Sequence, residues 1–291
     1  MNLMTPARRL KYTGLSWLEA RRRRRHNAGL PPVSECDRWI VDALETDGAC
    51  VTSLEALGIR GTAAMLKEAD EAFAAAAASP RKPGSKSYIA ALPHELVERS
   101  PALFSWGLSE RILAIAEHYI GRPVFYRGLV GRRDLADGQE VGTRLFHLDY
   151  EDNRIMKVIV YLNDVDEDGG PFEFVPRSLS PWHDQVRFVD GRVPDQDMDR
   201  LAPRAGWKAC VGKAGTVLFA DPCTIFHRGR VPLSGDRRTL FYAYNSKTPR
   251  VPDMAGPIVN SDAIVSSLSL TPAQRAATEW PFAEVKHGVW Q

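Results

Sequence analysis

The sequence predicts an α+β fold in which helices cover an antiparallel β-sandwich or barrel. Up to about residue 120, apolar residues recur at helical spacing between recognisable helix caps. From Arg122 onward the chain changes to short β-like runs separated by Gly, Asp and Pro. Helices followed by a series of short strands are typical of this architecture. The sequence shows no internal repeat and no long linker, so we expect one domain over residues 31–291, preceded by a basic leader over residues 1–30.

Four elements are predicted before residue 122. Ser34 caps a helix that runs to about Glu45, and residues 48–54 form a strand. An alanine-rich helix covers residues 62–79 and ends where Pro and Gly follow. A further helix covers residues 100–120, because Ser100-Pro101 is a favourable start.

After residue 122 the predicted elements are mostly strands. They cover residues 123–130, 143–149, 155–162, 171–176, 215–220 and 238–245. Residues 184–210, rich in Asp, Arg and Pro, form an irregular insertion of the kind found in lids over binding sites and in simple surface loops. A last helix begins at Thr271-Pro272 and ends near Glu279.

The composition of the 291 residues is that of a globular protein, with 44% hydrophobic and 25% charged residues. This excludes a largely disordered chain, a collagen-like fibre and a disulfide-knotted miniprotein. The longest apolar run, Ala72–Ala78, is too short to span a bilayer, and no secretion signal is recognisable. The four cysteines are widely spaced, which favours reduced thiols. We therefore expect a cytoplasmic protein.

The charge is distributed unevenly between the leader and the rest of the chain. Residues 1–30 carry eight Lys and Arg against one Glu, so the leader is +7 and the remainder of a chain of net charge +2 is −5. An acidic body argues against nucleic-acid binding. Apolar residues including Trp17 precede the run Arg21–Arg25, a pattern typical of peripheral contact with an anionic membrane, here the inner face. A solvated basic helix or a frayed chain end is the more ordinary interpretation of the same pattern.

The most informative motif is His147-Leu-Asp149 on the predicted strand 143–149. Residues i and i+2 of a strand point to the same side, so both side chains can bind one divalent metal. His227, 78 residues after Asp149, can supply a third ligand. Two imidazoles and one carboxylate form the facial triad of non-haem Fe(II) oxygenases, which leaves positions for a bidentate co-substrate and O₂.

The segments around this motif carry a family resemblance. They are the Leu-Asn-Asp turn at 162–164, the Gly-Pro-Phe-x-x-Val-Pro segment at 170–176, the Gly-x-x-x-Phe strand at 215–219, the His-x-Gly at 227–229 and the trailing Arg238. Over residues 120–250 the chain resembles the phytanoyl-CoA dioxygenase family of Fe(II)/2-oxoglutarate oxygenases. The resemblance implies a double-stranded β-helix (jelly-roll) core over about residues 120–250.

The same resemblance implies site residues and cofactors. Fe(II) is expected on His147, Asp149 and His227, and Arg238 is expected to bind the C5 carboxylate of 2-oxoglutarate. A guanidinium suits this role because its planar donors match a carboxylate. By strand alternation we expect Arg238 to face the core and Arg237 to point elsewhere. The metal centre itself is the expected catalytic group.

The implied reaction is oxidative decarboxylation of 2-oxoglutarate by O₂ to succinate and CO₂, coupled to hydroxylation of an unactivated C–H bond. Related halogenases replace the metal carboxylate by a small residue, so Asp149 favours hydroxylation or another oxidation. One departure affects the substrate: Pro176-Arg177-Ser178-Leu179 stands where the family usually continues Pro-Gly-Ser-His.

The sequence predicts the substrate less specifically than the reaction. Arginines in the leader and near the pocket suggest an anionic or membrane-associated molecule, for which the Kdo hydroxylases of lipid A precursors in this general family give a candidate. The alternative is a free small metabolite or a natural-product intermediate. Contacts to substrate or co-substrate are expected from Arg127, Arg132 and Trp182. A non-enzymatic, cupin-like binding protein is the alternative from another class, whereas hydrolase, NTPase and dehydrogenase motifs are missing from the sequence.

Overall fold

Helices occupy most of the first third of the chain, and strands dominate the part that follows. The computed structural model describes residues 6–77, 88–259 and 261–282, with side chains from residue 17 onward. Within them the helices are α1 (Pro6–Asn27), α2 (Glu35–Thr46), α3 (Leu54–Leu57), α4 (Thr62–Ala77), α5 (His94–Glu98), α6 (Pro101–Trp106), α7 (Glu110–Ile120), α8 (Asp195–Leu201), α9 (Pro252–Ala255), α10 (Asp262–Ser267) and α11 (Pro272–Thr278). The strands are β1 (Ala49–Ser53), β2 (Ile89–Ala91), β3 (Val124–Asp134), β4 (Met156–Tyr161), β5 (Phe172–Phe174), β6 (Lys208–Cys210), β7 (Thr216–Ala220), β8 (His227–Gly229) and β9 (Arg237–Ser246).

These strands form two antiparallel sheets. The larger sheet has the order β1-β7-β4-β9-β3-β2, and the smaller has the order β6-β5-β8. Neighbours in the sheets are distant in the chain, since β4 pairs with both β7 and β9. Two facing sheets with long crossovers and flanking helices are the predicted jelly-roll core, so the predicted fold class is confirmed.

The larger sheet is buried on both faces, as β4 shows. Met156, Val158 and Val160 belong to the apolar cluster that also contains side chains from α4, α6 and α7. The alternate residues of β4 point the other way, toward the smaller sheet and the cavity described below; they are Lys157, Ile159 and Tyr161. Strand alternation therefore separates a helix-facing core from a cavity-facing wall.

The sheet draws on residues earlier than the expected core of 120–250. Strand β1 pairs with β7, with Ala49 opposite Ala220, and β2 pairs with β3. Both edges of the larger sheet thus come from the part of the chain before residue 92.

The predicted helix 100–120 is in fact two helices, α6 and α7, separated at Gly107. A Cβ at this glycine would lie 2.6 Å from Tyr126 Oη and from Tyr242 Cδ1, so the backbone passes directly over these tyrosines. Tyr244 Oη also donates a hydrogen bond of 2.6 Å to the Gly107 carbonyl. The break lets the chain follow the sheet surface.

The predicted strand 143–149 is not regular. It begins in a 3₁₀ turn over Gly142–Arg144, because the buried Arg144 guanidinium turns inward and donates to Asp137 and to the carbonyls of Gln139, Tyr88 and Leu135. Further along, the backbone pairs at single positions, through Phe146 with Val193 and through His147 with His227.

Helix α1 contacts α2 and α7 through polar side chains. Arg23 pairs with Glu45 of α2, and His26 Nε2 lies 2.9 Å from Glu117 Oε1 of α7. The first of these fixes one member of the Arg21–Arg25 run against the body of the protein. None of the helices in the described ranges is long and apolar enough to cross a membrane.

Candidate metal centre

His147, Asp149 and His227 come together on the cavity side of the sheets. One ligand atom from each lies within 4.8 Å of the others, and His147 Nε2 is 3.9 Å from Asp149 Oδ1. The backbones of the two histidines exchange hydrogen bonds of 3.0 and 3.1 Å, and the Asp149 N–H donates to the Pro222 carbonyl at 2.9 Å. Main-chain pairing across 80 residues therefore positions the three side chains.

Backbone carbonyls orient both imidazoles. His147 Nδ1 lies 2.8 Å from the Leu145 carbonyl, and His227 Nδ1 lies 3.2 Å from the Ile225 carbonyl. A carbonyl can only accept, so each Nδ1 carries the proton and each Nε2 keeps its lone pair. Both lone pairs are thus available to a metal.

Burial sets the charge of these groups. It lowers the pKa of both imidazoles, that of His227 to about 4, and the neighbouring His227 lowers the pKa of His147 further. Both rings are therefore neutral near pH 7, the form that binds metals. Burial alone would raise the pKa of Asp149, but Lys157, through its charge and its hydrogen bond, and the two neighbouring histidines together outweigh it, and the net shift is downward. Asp149 is consequently an anion.

Lys157 is a residue of the site that the sequence analysis missed. Its Nζ donates to Asp149 Oδ2 at 2.5 Å, which leaves Oδ1 toward the imidazoles. The long side chain has room because the residues opposite it on both neighbouring strands are small, Ala220 on β7 and Ala243 on β9. The sequence signal that could have identified Lys157 is its position in β4, where alternate residues face the cavity.

The two adjacent arginines of β9 are placed opposite to the prediction. Arg237 is 2% exposed and lines the cavity, whereas the side chain of Arg238 is 38% exposed and lies 3.6 Å from Asp70 of α4. The prediction that Arg238 faces the core and Arg237 points elsewhere is wrong. The cavity-facing residues of β9 are the odd-numbered ones, Arg237, Thr239, Phe241 and Ala243.

Arg237 and Arg132 form the basic end of the cavity. Both bind the fully buried Asp134, Arg237 through Nη2 at 2.9 Å and Arg132 through Nε and Nη2 at 2.9 and 2.8 Å. The Nε of Arg237 is buried and has no hydrogen-bond partner among the described residues. Gly229 of the His-x-Gly motif makes the space, because a Cβ there would lie 2.6 Å from Arg237 Nη2.

The other residues predicted to contact substrate or co-substrate lie in different environments. Arg132 lines the cavity as expected. Arg127 instead lies behind the cavity wall, where its guanidinium donates to Glu151 at 3.2 Å and to two main-chain carbonyls. Trp182 is 66% exposed and lies outside the set of cavity-lining residues, so its contact with substrate stays a prediction. Arg192 and Thr143 do line the cavity, and the sequence analysis did not single them out.

One cavity of about 200 Å³ joins these groups. Along β4 and β9, Lys157 and Ala243 lie near the triad, and Tyr161, Thr239 and Arg237 lie several residues further along the strands. At about 3.3 Å per residue, four residues separate the two ends by roughly 13 Å. The arrangement can hold a metal at one point and an organic carboxylate at another.

Comparisons with known proteins agree with this geometry. Among protein-family models, phytanoyl-CoA dioxygenase (PhyH) matches residues 44–240, about two thirds of the chain. No curated protein sequence matches the chain.

Several solved structures share the fold. EctD from S. alaskensis with bound Fe is 20% identical, with a TM-score of 0.53 over 88% of this chain and 87% of that one. The non-haem α-ketoglutarate-dependent epimerase SnoN from nogalamycin biosynthesis is 17% identical, with a TM-score of 0.52 over 73% and 82% of the two chains. HygX from Streptomyces hygroscopicus, with nickel, 2-oxoglutarate and hygromycin B bound, is 16% identical, with a TM-score of 0.50 over 72% and 87%. The family match covers both histidines and the aspartate of the triad, and the chain belongs to the phytanoyl-CoA dioxygenase family of Fe(II)/2-oxoglutarate-dependent oxygenases.

Proposed function

We propose that this oxygenase hydroxylates an unactivated C–H bond of an anionic small molecule, with Fe(II) on His147, Asp149 and His227 and 2-oxoglutarate on Arg237. The observation that carries the proposal is the single cavity that contains both the triad and the Arg237 guanidinium. A metal held by the triad and a carboxylate held by Arg237 would therefore share one site.

The donor set fits the metal. Two neutral imidazoles and one carboxylate on one side of an ion are the ligands of non-haem Fe(II) oxygenases, and they leave the opposite side open. Lys157 neutralises the second carboxylate oxygen and so favours a single Asp149–metal bond. When bound, Fe(II) with 2-oxoglutarate supplies O₂ activation, and the co-substrate leaves as succinate and CO₂.

The basic end fits the co-substrate. 2-Oxoglutarate carries two carboxylates, which suits a cavity that offers a metal and a guanidinium. The partnerless Nε of Arg237 is a buried donor that a carboxylate would satisfy. Arg132 adds a second guanidinium, held over the Phe241 ring at 4.7 Å. Phe241 and Ile159 contribute apolar surface between the two ends.

The charge of the lining favours an anionic substrate. Four basic and two acidic side chains line the cavity, and the opposite charges of Fe(II) and 2-oxoglutarate cancel. The lined space therefore remains net positive. Its volume of about 200 Å³ is below the 300–1,000 Å³ of typical ligand pockets, which favours a small substrate or the reacting end of a larger one. SnoN, from nogalamycin biosynthesis, and HygX, which binds hygromycin B, support a natural-product or free-metabolite substrate.

A membrane-associated substrate, such as a Kdo-bearing lipid A precursor, is the second candidate, and the outer face of α1 favours it. Trp17 and Leu18 are 55% and 45% exposed. Four arginines of the run point away from the body: Arg21, Arg22, Arg24 and Arg25. Exposed apolar and basic side chains on one helix suit peripheral contact with an anionic membrane surface.

The experiment is oxygen-triggered turnover. Protein loaded with Fe(II) and 2-oxoglutarate without air should release succinate when air is admitted. Asp149→Ala should abolish this release and weaken binding of Co(II), a stable stand-in for Fe(II), by more than tenfold. Asp42→Ala, which removes an exposed carboxylate of α2, is the matched control and should behave like wild type. Absence of succinate from wild type, with equal Co(II) affinity in Asp149→Ala, would refute the proposal.

A further inference from the structure

A tight hairpin at one tip of the 184–210 insertion presents Arg192. Val189 and Arg192 exchange backbone hydrogen bonds of 2.8 and 2.9 Å across Asp190-Gly191. The φ angles of these two central residues are 49° and 72°. Positive φ at both positions defines a type I′ turn, for which Asp-Gly is among the preferred sequences. Arg192 is therefore held at a fixed position beside the turn.

The backbone register directs Arg192 toward the cavity. Val193 pairs with Phe146 in an antiparallel bridge, and both side chains are completely buried in a small apolar cluster. The preceding Arg192 and the following His147 are opposite each other in this register and point to the other side. Directly opposed residues have Cβ atoms about 4.5–5.5 Å apart, and both side chains line the cavity. Arg192 thus flanks the candidate metal ligand.

The bonding of Arg192 differs from that of the other basic groups in the cavity. Its Nε donates to the Gly142 carbonyl at 2.9 Å and its Nη1 to the Gly191 carbonyl at 3.1 Å. Arg132 and Arg237 share Asp134, and Lys157 binds Asp149. For Arg192, none of the carboxylates in the described ranges lies within ion-pair distance, so its charge is not neutralised locally.

A second donor lies beside it. Thr143 follows Gly142, whose carbonyl holds the Arg192 guanidinium, and Thr143 also lines the cavity. Its Oγ1 is buried and, within the described part of the chain, has no hydrogen-bond partner. A buried hydroxyl without a partner costs free energy unless a ligand or water satisfies it.

We propose that Arg192 and Thr143 form an oxyanion subsite that binds a carboxylate or phosphate group of the primary substrate. A guanidinium and a hydroxyl side by side offer the donors that such a group accepts. The subsite lies next to His147 and on different elements from Arg237, so the substrate anion and the co-substrate carboxylate are bound separately. This inference deepens the proposed function and rests on it.

The test uses matched acid and neutral probes. A panel of small aliphatic and aromatic carboxylates and phosphate monoesters is compared with the corresponding amides and parent alcohols. Binding to the Co(II)- and 2-oxoglutarate-loaded protein is measured by calorimetry, and stimulation of succinate release by the Fe(II) enzyme is measured in parallel. We expect acids to bind more tightly than their neutral partners, and the responding class, carboxylate or phosphate, identifies the substrate anion.

The variants separate recognition from structure. Arg192→Gln should weaken binding of a responding acid by more than tenfold, Arg192→Lys by less, and Thr143→Val by a few-fold, while Co(II) affinity falls in none of them. Arg200→Gln removes an exposed arginine of the same insertion and should bind the acid like wild type; its side chain is 72% exposed. Thermal unfolding of each variant confirms that it folds.

Two results would overturn the subsite. One is a panel in which acids and neutral partners bind wild type equally, and the other is an acid whose affinity is the same in wild type, Arg192→Gln and Thr143→Val. Failure of the proposed function is a different outcome, because the wild-type enzyme would then release no succinate while the calorimetric comparison still reports on the subsite.

Discussion

Arg237 and Arg238 are adjacent arginines on opposite faces of β9. Arg237 lines the cavity, whereas Arg238 lies at the surface. The sequence could not settle this, since residues 240–244 read Leu-Phe-Tyr-Ala-Tyr and are apolar on both faces. A strand buried on both sides has no polar and apolar alternation that fixes its phase. By contrast, the sequence could predict that His147 and Asp149 lie together. Residues at i and i+2 of a strand share a face, so the prediction does not depend on which face is buried.

Substitution of the two arginines provides a direct comparison. Arg237→Gln leaves a co-substrate carboxylate without its cation, a loss of about 2–5 kcal/mol in similar charge pairs. We expect the KM for 2-oxoglutarate to rise by well over tenfold, with Co(II) affinity nearly unchanged. Arg238→Gln is the matched control, and its KM should stay within about twofold of wild type. Succinate release at varied 2-oxoglutarate concentration measures both, and the reverse ranking would place the anchor on Arg238.

Among the secondary-structure elements, short β8 carries two functions within three residues. His227 supplies a candidate metal ligand, and Gly229 leaves space for the Arg237 guanidinium. The sequence shows the His-x-Gly motif but not the reason for its glycine. The group that needs the space is the Arg237 guanidinium, which belongs to a different strand, β9.

Replacement of this glycine should change the co-substrate site with little loss of stability. In Gly229→Ala the new Cβ would lie 2.6 Å from Arg237 Nη2, the far end of a long side chain, so the guanidinium moves rather than the backbone, and its ion pair with Asp134 is disturbed. We expect a several-fold higher KM for 2-oxoglutarate and a melting temperature a few degrees below that of wild type, because the buried ion pair with Asp134 is disturbed but not removed. Gly29→Ala is a control, since its Cβ would meet only an ordinary contact of 3.5 Å. An unchanged KM would contradict this account of Gly229.

The predicted elements were most accurate where a local pattern is sufficient. Helix α2 begins after its predicted cap, Ser34, whose side chain accepts a hydrogen bond from the Asp37 N–H. The break at Gly107 and the irregular backbone around His147 depend on tyrosines and carbonyls from distant segments. Such contacts override local propensity. Arg177, in place of the usual family glycine, likewise binds the Leu44 carbonyl and Tyr119 Oη, which lie far away in the chain.

In the molecule as a whole, the site forms where long-range pairing brings the chain together. His147 meets His227 by main-chain pairing, and Ala49 pairs with Ala220 at the edge of the larger sheet. Sequence patterns indicated that strands exist but not which strands are neighbours. The family resemblance supplied that topology, and with it the convergence of the triad.

The leader is the remaining feature of the whole molecule that calls for a test. Arg23 pairs with Glu45 of α2, so this arginine is left in place. The variant replaces the four outward arginines by Gln, which reduces the charge of the leader from +7 to +3. Each basic residue near an anionic surface contributes about 1 kcal/mol, so binding should fall by roughly a thousandfold.

Flotation with phosphatidylglycerol and phosphatidylcholine vesicles measures this binding. Wild type should float with the anionic vesicles at low salt and be released near 1 M salt, where the screening length shortens to about 3 Å. The matched control removes four exposed arginines outside the leader, Arg60, Arg99, Arg187 and Arg200, and thus the same charge. The control should float like wild type because these residues lie outside α1, which carries Trp17 and Leu18. Equal recovery of wild type and the leader variant would show that α1 is a solvated basic helix docked on the acidic body.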